Sequence, residues 1–196
     1  MAWDRFLYSL FDFLDCSVAP RPVDCLFVMA GRPERKRYAI ELWREGLARE
    51  LILSVGRFEW RGFYQLGLPS DGGLKEWVDN TPPPQRHFFV WFRETEAGCV
   101  AVKKGEYGSR SEIHALAEWM QSRTHRSLMI VSTSIHLRRT AWLVRRELPR
   151  LYPATIFVAV PEADSSIRRK KWWAASESRR LVLQELVKFA GYRLLF

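Results

Sequence analysis

Apolar positions along this chain fall into short continuous runs that alternate with helical stripes. Trp3, Phe6, Leu7, Leu10, Phe13 and Leu14 recur at helical spacing and predict an amphipathic helix over residues 3–14. Its polar side holds Asp4, Asp12 and Asp15 against Arg5 alone, whereas interfacial membrane helices carry Lys and Arg there. Packing against the body of the domain is therefore expected. After the breaker Pro20-Arg21-Pro22, the run Asp24-Cys25-Leu26-Phe27-Val28-Met29 stops at Ala30-Gly31. It is short and non-alternating, as a strand buried on both faces should be. A helix over 33–47 follows, with Pro33 suited to its first turn and Ala39, Leu42, Trp43, Gly46 and Leu47 on one face. A second buried strand at 51–55 ends at Gly56 and completes a β-α-β unit.

Residues 57–99 interrupt this rhythm and read as an insertion. A short helix is predicted near 74–78, and Thr81-Pro82-Pro83-Pro84 is a breaker. Residues 87–92 and 99–102 read as strands across the polar link 94–98, either as a hairpin or with one at an edge. From Ser111 the alternation resumes: a helix with Ile113, Leu116, Ala117 and Met120 inward, a strand at 128–131, and a helix with Leu137, Ala141, Val144 and Leu148 inward. A strand at 155–160 and a C-terminal helix with Leu183, Leu186, Val187 and Ala190 as its inward stripe complete the pattern. Strands alternating with helices in this way predict one α/β domain over 1–196, a mostly parallel sheet with helices on both faces. Residues 1–22 form its N-terminal helix and linker.

Composition narrows the setting. No apolar run is long enough to span a bilayer, and the acids before residue 16 break any secretory signal, so a cytoplasmic place, peripheral to a membrane at most, is expected. Cys16, Cys25 and Cys99 are odd in number and widely spaced, which favours small buried side chains in a reducing compartment. His87, His114, His125 and His136 show no ligand-like spacing, so no metal is expected. The net charge of +9 points to an anionic partner: a phosphate-bearing molecule, nucleic acid or an anionic membrane surface.

In an open parallel sheet ligands bind beyond the carboxyl ends of the strands. The first strand is followed by Gly31, Arg32 and Arg35, and the second by Ser54, Gly56 and Arg57. The strand at 128–131 is followed by Ser132, Thr133, Ser134, His136 and Arg139. Small and hydroxylated residues let backbone N–H groups approach a ligand, helix N-termini add positive potential, and arginines add paired donors for an oxyanion. Three separate loops on one rim share this chemistry and point to a small anionic ligand. Ser111 opens a further helix and is assigned to ligand orientation. His136 and Glu112 are the candidate catalytic groups for proton transfer, with Glu34 and Glu106 as further candidate bases. Alanine at His136 or Arg139 is expected to abolish binding and leave the fold cooperative. Walker, dinucleotide-binding and nucleophile-elbow signatures are absent from the sequence.

These blocks resemble the YdcF/ElyC/SanA family over roughly residues 23–56 and 100–192. The first block reads Asp24, an apolar strand, Ala30-Gly31, Arg35, Ala39 and Gly46; the second ends Ser54-Val55-Gly56. The most specific block is Val131-Ser132-Thr133-Ser134-Ile135-His136-Leu137-Arg138-Arg139-Thr140, in which Arg139 matches the family's arginine. Ala30 and Val55 stand where the family has glycines, and Ile113 and His114 where it has an acid and an amide. The resemblance implies a Rossmann-like three-layer sandwich. It also brings in S-adenosylmethionine as a candidate cofactor, since some members are associated with it, and a link to the cell envelope. The alternative reading is a polyanion-binding protein, for nucleic acid or an anionic membrane surface. It would use the seven arginines of 121–150 and the basic stretch 165–180 beside Trp172-Trp173. The oligomeric state is left open.

Overall fold

The computed structural model describes residues 2–103, 105 and 108–195. Its elements are α1 (Ala2–Leu14), β1 (Val23–Val28), α2 (Pro33–Arg44), β2 (Ala48–Val55), α3 (Trp60–Phe63), α4 (Leu74–Asn80), β3 (Phe88–Arg93) and β4 (Glu96–Ala101), then α5 (Gly108–Gln121), β5 (Leu128–Ser132), α6 (Ser134–Glu147), β6 (Thr155–Ala159) and α7 (Ser176–Leu195). The six strands form one sheet in the order β4-β3-β2-β1-β5-β6. The β2-β1-β5-β6 portion is parallel, while β3 and β4 add to its edge antiparallel.

Strand residues alternate between two apolar layers, as the period of two requires. Leu26, Val28, Leu51 and Leu53 face a layer completed by Ala39, Ile40 and Leu42 of α2 and by Leu74 and Val78 of α4. Phe27, Ile52, Leu128 and Ile130 face the other, completed by Ile113 and Leu116 of α5 and Leu137 and Val144 of α6. The result is the expected Rossmann-like α/β sandwich. Among the described residues no helix is long and apolar enough to cross a membrane. Cys25 and Cys99 lie in the core; burial pushes the Cys99 thiol up to about 12.

Two local expectations change. The polar link 94–98 shrinks to a two-residue turn, because Arg93 already pairs with Glu96; Glu94 takes the left-handed conformation at φ 50° and residues 96–98 join β4. The insertion is therefore largely sheet edge and core: Phe63, Leu74, Val78 and Phe88 are all buried.

The second change concerns α7. Leu183, Val187 and Ala190 are exposed, and the inward residues are Val182, Glu185, Phe189 and Tyr192. Glu185 meets Arg139 of α6 in an ion pair, and that contact, with the two aromatic rings, sets the rotation of the helix. α1 packs against α6 and α7 through Phe11 and Leu14, as its acidic polar side suggests.

Candidate functional site

The chain leaves β1 toward β2 on one side and returns to place β5 on the other, so β1 and β5 flank the topological switch point where such sheets open a crevice. Arg35 bridges it. Its guanidinium donates from Nη1 to the Ala30 carbonyl at 2.8 Å, after β1, and from Nη2 to Thr133 Oγ1 at 2.9 Å, after β5. Its Nε is buried and has no partner among the described residues. Burial lowers the Arg35 pKa, and Glu112 and Glu59 counter that with negative charge. The first turn of α2 thus turns two cations inward, since Lys36 is buried as well.

Glu59, supplied by the insertion, answers Lys36. It ends the turn Gly56–Glu59, its N–H donating to the Gly56 carbonyl at 3.0 Å. One Glu59 oxygen accepts the Gly31 N–H at 2.8 Å and the other pairs closely with Lys36 Nζ. Both glycines shape this contact. Gly31 has φ 132°, where a side chain is strained, and a β-carbon on Gly56 would stand 2.6 Å from the Glu59 oxygen. A carboxylate is therefore held by a backbone amide and an ammonium against bare backbone.

A second buried chain lies alongside. The Glu112 carboxylate, on the first turns of α5, accepts the Ala30 N–H at 2.6 Å and the Ser54 hydroxyl. Ser54 Oγ in turn lies 2.8 Å from His87 Nε2. Burial pushes the Glu112 carboxyl up; the Ser54 and Ala30 hydrogen bonds and the charges of Lys36 and Arg35 pull it back. Which of Ser54 and His87 donates across that contact is set by the histidine tautomer, and Glu112 on the other side of Ser54 is a carboxyl that burial pushes up. Ser132 Oγ and His136 Nδ1 are 2.9 Å apart, both buried.

The predicted residues do not all converge. Gly31, Arg35, Ser54, Gly56, Glu112 and Thr133 meet through the contacts above, and His136 lies close enough to feel the charge of Arg35. Ser111, next to Glu112 in α5, accepts the Gly105 N–H at 2.9 Å. Arg32 reaches sideways to Ser166 at 2.6 Å and Glu177 at 2.9 Å. Arg57 is exposed and stacks on Phe58. Ser134 lines a separate cavity of about 290 Å³ with Ile167 and Arg169. Arg139 donates to Glu185 at 3.0 and 3.2 Å and stacks on Tyr192. Glu34 accepts from Ser166 at 3.2 Å, and Glu106 lies outside the described residues. Lys36, Glu59 and His87 were not legible as site residues. Lys36 sits in the run Arg35-Lys36-Arg37, which reads as a solvated face, and Glu59 sits in the unpatterned stretch after β2.

Burial holds His136 well below the ordinary histidine value of 6.5, with Arg139 and Arg35 acting the same way, and it lowers His125 too. Both groups take a proton more readily unfolded than folded. Their contribution to stability is complete above about pH 6.5 and is lost as pH falls from there toward their folded-state values. Glu112, raised above 4.5, acts in the opposite sense, adding stability as pH falls through its folded-state value toward 4.5. Urea midpoints measured from pH 7.5 to 5 are expected to fall with acidification. The slope should be shallower in His136→Gln; equal slopes would contradict the assignment.

Comparison with family models, with curated proteins and with solved structures returns no match to this chain.

Proposed function

We propose that the protein binds a small anionic molecule, of the nucleotide, sugar-phosphate, lipid-phosphate or S-adenosylmethionine type, at the switch point between β1 and β5. The observation that carries this reading is the way Glu59 is held. The Gly31 amide and Lys36 already grip an oxyanion beside Arg35, whose buried Nε is unspent. Backbone donors at a helix start and buried cations are the standard chemistry for a phosphate or carboxylate. The ligand's anionic group would take the place of the Glu59 carboxylate, which swings outward. The Ser132–His136 pair and Glu112 are the groups able to move protons next to it. The resemblance to the YdcF/ElyC/SanA family supports the same rim and motivates including S-adenosylmethionine among the probes.

The test is calorimetric titration of pyrophosphate, nucleotides, sugar phosphates and S-adenosylmethionine into wild type and Lys36→Met. Saturable binding to wild type, weakened roughly tenfold or more in Lys36→Met, a loss of ~1.4 kcal/mol, is expected. Equal affinity in both proteins would reject the site.

A second reading rests on a cleft of about 870 Å³ at the opposite rim. Arg123, Arg126, Arg146 and Arg150 line it, and its acid, Glu147, is taken up by Arg110 and His114. That charge suits a polyanion, and strongly salt-dependent retention on RNA, lost in Arg126→Gln/Arg150→Gln, would support it. Trp172 takes no part: it is buried, with its indole N–H given to the Leu7 carbonyl at 2.9 Å.

A further inference from the structure

α7 is apolar on two opposite faces, and only one of them is used. Val182, Phe189 and Tyr192 pack inward, whereas Leu183, Val187, Ala190 and Leu194 run along the outside at spacings of four, three and four. Val187 is 72% exposed and Leu194 87%, values far from those of a side chain at rest against its own domain. Over 20 residues the helix is about 30 Å long, so the stripe is a continuous ridge rather than scattered surface residues.

The charges bordering the ridge decide what covers it. Arg179, Arg180, Lys188 and Arg193 are all exposed on α7. Against them stand Glu177, which is paired with Arg32, and Glu185, which is buried between Arg139 and Lys188, whose Nζ lies 3.3 Å from it, so that among the described residues of α7 Arg179, Arg180 and Arg193 carry the uncompensated charge. An aliphatic ridge fringed by cations matches the boundary between acyl chains and anionic headgroups, where each Lys or Arg adds attraction. A second copy of the chain fits poorly, because pairing two such ridges would set arginine and lysine against their own kind. A nucleic acid would meet the cations but leave the aliphatic side chains without a partner.

We infer that the outer face of α7 docks the protein on an anionic lipid surface, Leu183, Val187 and Leu194 entering the acyl boundary while Arg179, Arg180 and Arg193 meet the headgroups. This stands apart from the ligand site, since none of these residues contributes to it. The experiment is co-sedimentation of the full chain with phosphatidylcholine vesicles, with and without phosphatidylserine. Light scattering on the free protein accompanies it. Wild type should bind the anionic vesicles. Val187→Glu/Leu194→Glu, whose positions are exposed and so leave the fold intact, should lower binding roughly tenfold or more. Arg179→Gln/Arg180→Gln/Arg193→Gln should remove the preference for phosphatidylserine and its sensitivity to salt. The inference fails if wild type stays in the supernatant or the glutamate pair sediments like wild type. It also fails if light scattering shows a dimer that the glutamate pair dissociates while vesicles bind neither protein.

Discussion

Alanine at Arg139 is expected to cost the fold about 3–5 kcal/mol, the range for removing one partner of a buried ion pair. Both side chains of the Arg139–Glu185 pair are nearly out of solvent, at 5% and 11% exposed. The guanidinium also covers Tyr192, so its loss removes packing as well as charge. What remains behind is a carboxylate with Lys188 alone, whose Nζ lies 3.3 Å away on a side chain that is 52% exposed. That neighbour can rotate toward Glu185, which places the expectation at the lower end of the range. Replacing both members with apolar residues, Arg139→Met/Glu185→Leu, should recover most of the loss, because no charge is then left without a partner. Urea denaturation of the two single variants and the double variant checks this. A loss below about 1 kcal/mol in Arg139→Ala would mean the pair behaves like an exposed one. The arginine's place after the third parallel strand in the sequence points to the ligand, with alanine expected to spare the fold. The structure places its donors on α7.

Glu59→Ala is expected to destabilise the protein by about 3 kcal/mol and to make it responsive to phosphate. Lys36, 5% exposed, would be left buried without its counter-charge, the situation that costs 3–5 kcal/mol for a fully enclosed pair. Glu59 is itself 23% exposed, so water partly replaces it and the smaller figure applies. The Gly31 amide loses its acceptor in the same step. An added oxyanion can restore both contacts, and binding to the folded state alone stabilises by about 2.7 kcal/mol at a hundredfold excess over Kd. Melting temperature against phosphate or pyrophosphate concentration should therefore rise steeply in Glu59→Ala and little in wild type, where the carboxylate competes. Parallel curves for the two proteins would mean that Glu59 is structural and occupies no ligand position.

The rim of the sheet is legible in the sequence for a simple reason. The stretches 25–28 of β1, 51–53 of β2 and 128–131 of β5 are buried on both faces, so they read as apolar runs, and each is followed within two residues by small or hydroxylated residues. Arg35, Gly31, Gly56 and Thr133 are found this way. Contacts made across long sequence distances are not. Glu59 reaches Gly31 from 28 residues away, and His87 reaches Ser54 from 33, through a segment with no clear periodicity. The rotation of α7 was hidden for the opposite reason. With apolar residues on both faces, periodicity gives no preferred direction, and the buried Glu185 decides the matter only when Arg139 is known to be opposite it.

Amide chemical-shift mapping of the folded Glu59→Ala protein during a pyrophosphate titration tests the central claim most directly. Shifts that saturate together at Ala30, Gly31, Gly56 and Thr133, and that vanish when Lys36→Met is added, are predicted. Shifts confined to Arg126, Arg146 and Arg150, or no saturable shifts at all, would contradict an oxyanion site between β1 and β5.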